Sequence, residues 1–299
     1  MKRAFPILTV VTALLLAYAL YRAMTVVTDA QQGDVYRIIY YHVPSAWTAF
    51  LLFFINFVAS IQYLARAKPA TEAAAKWIVI VAGILGAVVA YLPGVQQQLQ
   101  VYKIYPSSIA TTALAIPVFY FLVGRWFPGE SLDVLAVTSA EVGVVFCTIV
   151  LITGPLWARP VWGIWWAPGD IRLTSTLVLW LIYVSYLMLR RFSSSAQTQR
   201  LAAALAVFGA LDVPLVYFSI WFFRTQHPQP VIGGGGSMDP RMLNVLMISW
   251  TAFLCFAFLV CWTRFRLELL HRQVEEAYAM QSLAGPGAIS SVPLDRRRA

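Results

Sequence analysis

The chain has 299 residues, 60% of them hydrophobic and only 12% charged, with a mean hydropathy of +0.70. A soluble chain carries about 25% charged residues, so this composition excludes a water-soluble globular protein and defines a polytopic membrane protein. The net charge of +9 is no sign of nucleic-acid binding, because the bases of a membrane chain must first be sorted by side.

Taken in order, Lys2 and Arg3 lead into an apolar segment, 5–26. It is too long for a signal h-region and lacks a small-residue cleavage site, which makes it a first spanning helix. A bilayer core takes about 20 apolar residues per helix, and seven further segments qualify: 44–65, 77–94, 107–126, 134–156, 173–190, 201–223 and 242–263. The third is short and the fourth contains Pro117, so either is compatible with a re-entrant or kinked element. The expected fold is an all-α integral membrane protein, a polytopic bundle of about eight transmembrane helices. The tail after about Gln273 loses apolar periodicity, and 273–299 reads as a disordered cytoplasmic tail. Residues 1–272 are then the membrane domain.

Orientation follows from the basic residues. With the N-terminus inside, fifteen Lys and Arg side chains fall on one side and seven on the other. The positive-inside rule makes the richer side cytoplasmic, with both termini there. Cys147, Cys255 and Cys261 lie in apolar segments without Cys-x-x-Cys or metal-ligand spacing, and read as packing residues. Gly233–Gly236 lacks the flanking strand and helix of a phosphate-binding loop. Glu141 and Asp212 fall inside spans, where ionisable groups are costly. With no basic partner evident in the spans, a structural role is favoured over a proton path.

The outer face collects the chemistry. Its first loop runs from Asp29 to Trp47 and includes His42. Its second holds four of eleven tryptophans, Trp157, Trp162, Trp165 and Trp166. Its third, 224–240, includes His227. If Trp162–Trp166 is helical, Trp162, Trp165 and Trp166 share a face. Such residues either anchor the protein at the lipid boundary or form a platform for a planar ligand. Two histidines flanking the platform favour haem, which needs axial nitrogens, an aromatic surface and cations for its propionates. His42 and His227 are candidate iron ligands. Arg37, Arg159, Arg172 and Arg224 are candidates for the propionates, since guanidinium pairs with carboxylate in a bidentate fork.

Three blocks carry a family resemblance: 29–46 (DAQQGDVYRIIYYHVPSA), 157–175 (WARPVWGIWW, then DIRLTS) and 211–227 (LDVPLVYFSIW, then TQH). Together they resemble the CcmC family, the haem-handling membrane proteins of cytochrome c maturation with a tryptophan-rich WWD signature. The resemblance implies a protein of the bacterial cytoplasmic membrane that binds b-type haem transiently at the outer face. It implies presentation of the haem to a membrane-anchored chaperone, alongside ABC-type transporter subunits and a small membrane peptide. It assigns His42 and His227 as axial ligands, and Trp162, Trp165, Trp166 and Asp170 to the platform. It implies a binding and transfer factor more than an enzyme, in contact with lipid and not with nucleic acid.

Two departures stand out. Ala167-Pro168-Gly169 separates Trp166 from Asp170, where the family pattern has another tryptophan, and Pro-Gly predicts a turn. Residues 67–132 read as a two-helix insertion, an extra hairpin beyond six family-like helices. Two rivals remain: a haem lyase-type synthetase subunit, which would want more than three histidines, and a haem-free assembly or transport subunit.

Overall fold

The computed structural model describes residues 4–101, 104–192, 195–223, 226–228 and 238–284. Among them every regular element is helical, and eight helical stretches are long and apolar enough to cross a membrane. The protein is an all-α polytopic membrane protein, the architecture in which each span satisfies its own backbone hydrogen bonds.

The elements are α1 (Ala4–Thr25), a 3-10 turn (Asp34–Ile38) leading into α2 (Ile39–Ala65), α3 (Pro69–Val89), α4 (Pro93–Val101) and α5 (Pro106–Trp126). They continue with α6 (Ser131–Trp162), α7 (Ile171–Phe192), α8 (Ala196–Ala210), α9 (Asp212–Phe222) and α10 (Pro240–Ala284). The seventh apolar segment is thus two helices. Pro214 has no N–H to offer the carbonyl of Ala210, and the helix breaks at Leu211. Asp212 sits at this break with Oδ2 buried and without a hydrogen-bond partner among the described residues. At the C-terminus α10 continues to Ala284. Residues 273–284, expected in an irregular tail, are therefore helical, while 285–299 lie outside the described residues.

The core forms where α2, α6, α7, α8 and α10 meet. Phe53 of α2 stacks on Tyr183 of α7 with ring centroids 3.8 Å apart, amid buried Leu52, Phe146, Leu179, Tyr186, Ala202, Ala206 and Ala257. Small residues on α8 let it close on its neighbours: a Cβ at Gly209 would lie 2.6 Å from Ile182. The α3–α5 hairpin is built the same way. A Cβ at Gly83 would come within 2.5 Å of Pro117 and 2.8 Å of the Ala113 carbonyl. The hairpin is fastened to α2 by Gln62 Nε2 donating to the Tyr120 carbonyl (2.6 Å) and Arg66 to that of Gly124 (3.1 Å).

One end of the bundle is held by charge. Asp133, at the start of α6 and 2% exposed, accepts from both Arg190 nitrogens (2.7 and 2.6 Å) and from Arg272 (2.8 Å). Nearby, Glu141 takes two 2.8 Å hydrogen bonds from Arg264. Glu141 therefore has the structural role expected of it, tying α6 to α10. At 1.5 Å per residue, Thr153 lies about 30 Å further along α6 from Asp133, and at that other end the chain builds a different kind of environment.

Candidate functional site

The loop between α1 and α2 is shaped by Asp29. Its Oδ1 accepts the backbone N–H of Gln31 (2.9 Å) and Gln32 (2.8 Å), an Asx-type turn. Gly33 follows at φ 59°, a conformation glycine adopts without a Cβ penalty. The turn aims Gln32 at the second loop, where its Oε1 accepts from Trp157 Nε1 at 2.8 Å. The 3-10 turn then feeds α2, so that His42 falls in the first turns of that helix, half-buried.

The second loop starts later than the apolar run suggests. Helix α6 continues through Pro155 and Pro160 to Trp162, and ends where Gly163 takes the left-handed conformation (φ 78°) and donates to the Arg159 carbonyl at 3.0 Å. Residues Trp162–Trp166 are therefore not a helix, and the three tryptophans do not share a helical face. Trp162 packs edge-on against Trp157 (centroids 5.0 Å) and against the His227 ring (5.2 Å). Trp165 turns outward, 56% exposed, with the Arg159 guanidinium 6.0 Å from its ring centroid.

The Pro168-Gly169 turn predicted from sequence is present, closed by Asp170 N–H on the Ala167 carbonyl at 2.9 Å. It delivers Asp170 to the N-cap of α7, where Oδ1 accepts the Leu173 N–H at 3.1 Å. Oδ2 faces the third loop and accepts from the Gln226 N–H and from His227 Nδ1, both at 3.1 Å. Burial alone pushes the Asp170 carboxyl up. The hydrogen bond and charge of His227, with the N–H groups of Leu173 and Gln226, outweigh it and hold the carboxyl below the usual carboxylate range. Asp170 thus serves as a bracket behind His227, away from the cavity wall.

These pieces enclose a cavity of about 320 Å³, within the range of small-molecule sites. His42 and His227 both line it, as do Trp157, Trp162, Trp166 and Arg172. Sequence reasoning expected a platform; α2, α6, α7 and α9 instead make walls. It also missed Tyr36, Trp47, Gly154, Thr176 and Tyr217, which line the same space and carry no signal that separates them from ordinary membrane-helix residues. Trp165, Arg37 and Arg159 are not brought to the cavity. Arg37 is taken by Asp34 (2.8 Å) and the Ala23 carbonyl (2.6 Å), and Arg159 by the Gly163 carbonyl. Arg224 lies outside the described residues. Arg172 is left as the arginine in the wall, and its guanidinium makes no hydrogen bond to a described residue.

The donor set narrows the ligand. Among the described residues no three His, Cys, Asp or Glu side chains come together, whereas a bare zinc site takes three or four protein donors. Two imidazoles suit a metal that arrives with its own ring of nitrogens, as haem iron does. Aromatic walls and the Arg172 guanidinium fit the rest of such a ligand.

Fold and site together define a polytopic membrane protein with a two-histidine, aromatic-walled cavity on one face. The sequence matches the family described as heme exporter protein C over residues 1–96 and 105–280, and the chain belongs to that family. The match includes all of α3 and α5 and is interrupted at 97–104. It is 28% identical over 283 residues to the heme exporter protein C of Bradyrhizobium diazoefficiens, covering 94% of this chain and 84% of that one. The Escherichia coli K12 protein of the same name is 31% identical over 159 residues, 53% of this chain and 63% of the other. A ccmC-like mitochondrial protein of Marchantia polymorpha, named for cytochrome c biosynthesis, is 26% identical over 241 residues, 80% and 76% of the two chains.

Proposed function

We propose that this protein binds haem in the outer-face cavity between His42 and His227 and presents it for cytochrome c maturation. One observation carries the reading: two of the three histidines, distant in sequence, meet on one aromatic-walled cavity, each bonded at Nδ1 and with no hydrogen bond from Nε2 to a described residue. The names borne by its relatives support it, since they concern haem export and cytochrome c biosynthesis. In this reading Trp157, Trp162 and Trp166 bear on the macrocycle, and Arg172 meets a propionate through charge-assisted hydrogen bonds. Trp165, Arg37 and Arg159 support the loops instead.

The haem is cargo, of b type and transiently held, and the protein is a binding and transfer factor with no reaction of its own. It resides in the bacterial cytoplasmic membrane with both termini inside, where the basic residues concentrate. Its partners are ABC-type transporter subunits, a small membrane peptide and a membrane-anchored haem chaperone. The test is the optical spectrum and extractable haem of the detergent-purified protein beside a His42→Ala/His227→Ala variant. A low-spin spectrum in the wild type that the variant loses supports the reading. A wild type that takes up no haem when haem and the chaperone are supplied contradicts it, and makes the tryptophans lipid anchors.

A further inference from the structure

Both cavity histidines are held at Nδ1, and their holders differ in kind. Behind His42 stands Thr153, whose Oγ1 is 2.8 Å from the ring nitrogen. The same Oγ1 lies 2.7 Å from the Ile149 carbonyl, the acceptor four residues back that a helical threonine reaches. A hydroxyl has one proton to give. With that proton on Ile149, Oγ1 meets His42 only as an acceptor. His42 Nδ1 then carries the ring proton, and Nε2 keeps the free lone pair.

Gly154, the next residue of α6, lines the cavity beside the ring, where a Cβ would stand in van der Waals contact, 3.4 Å from His42 Cε1. Behind His227 stands Asp170, a carboxylate 4% exposed and tied to two backbone N–H groups. A carboxylate partner strengthens an imidazole as a metal ligand, and a neutral hydroxyl already committed to a carbonyl does so less.

We propose that Thr153 is the positioning residue of His42, fixing the tautomer that turns Nε2 to the cavity. We further infer that the unequal holders, hydroxyl against carboxylate, make His42 the ligand that lets go first when haem leaves. The step breaks the iron–Nε2 dative bond with its electron pair returning to nitrogen. No proton or electron is exchanged, and His227 keeps the iron until the acceptor takes it. The inference rests on the two-histidine reading above.

The experiment compares haem-loaded, full-length wild type with Thr153→Val, Thr153→Ser, His42→Ala and Asp170→Asn. The readouts are the spin state in the optical spectrum and the rate of haem transfer to excess apomyoglobin. Thr153→Val is expected to gain a high-spin component and to release haem about 10–100-fold faster. Millimolar imidazole restores its low-spin spectrum, and Thr153→Ser behaves as wild type. Asp170→Asn is expected to lose more haem than Thr153→Val, and an equal or smaller loss overturns the order of release. A Thr153→Val protein identical to wild type, where His42→Ala has lost its low-spin signal, overturns the role of Thr153 and leaves the two-histidine reading standing. If His42→Ala keeps the wild-type spectrum, the ligand reading fails and this inference with it.

Discussion

The two ends of α6 carry polar groups of opposite character. At its start Asp133 is saturated by Arg190 and Arg272, and one turn beyond the next, Glu141 is saturated by Arg264. At both carboxylates, charge answers charge. At its far end Trp157 and Trp162 border a cavity in which the Nε2 atoms of His42 and His227 and the Arg172 guanidinium make no hydrogen bond to a described residue. In a medium that penalises unpaired polar groups, satisfied groups hold helices together, and unsatisfied ones gathered on a cavity mark where a ligand belongs.

Breaking the paired end is expected to have the largest effect. Asp133→Ala leaves two arginines facing each other at a site with little water, a loss of about 3–5 kcal/mol. Thermal unfolding of the detergent-solubilised protein checks this; an unchanged melting temperature would show that the cluster does not clamp α6, α7 and α10. The open end is expected to respond the other way, with ligand loss and little loss of fold. Arg172→Gln removes a charge-assisted partner for a propionate, about 1.5–3 kcal/mol, read as roughly 10–100-fold weaker haem retention at wild-type melting temperature. Gln32→Leu takes the acceptor from Trp157 Nε1 and costs about 1 kcal/mol, seen as a small drop in haem retention and a shift in tryptophan fluorescence. Trp165→Ala, outside the cavity, is expected to change haem retention by no more than about 0.5 kcal/mol. A large effect there would move the ligand out of the cavity and onto the exposed face.

Much of the fold was legible in the sequence, because length and apolar content define a span. His42 and His227 were singled out through the family resemblance, and Arg172 as a cation near the tryptophans; Asp170, expected in the platform, instead stands behind His227. The remainder depended on contacts between distant residues. Thr153 is 111 residues from His42 and looks like any helical threonine until the two helices pack. Arg37 and Arg159 resembled Arg172 in kind, but acceptors three and four residues away claim them first. The reach of α6 past two prolines was hidden because each removes only one backbone bond, and packing against α2 and α7 supplies the rest. Glu141 and its arginine, 123 residues apart, could not be paired without the fold.

The central claim is that His42 and His227 bind one iron. Electron paramagnetic resonance of the oxidised, haem-loaded protein tests it most directly, with each histidine replaced singly by alanine. The account predicts a low-spin bis-imidazole signal in the wild type and a high-spin signal, or no retained haem, in each variant. A low-spin signal that survives in either variant would contradict it.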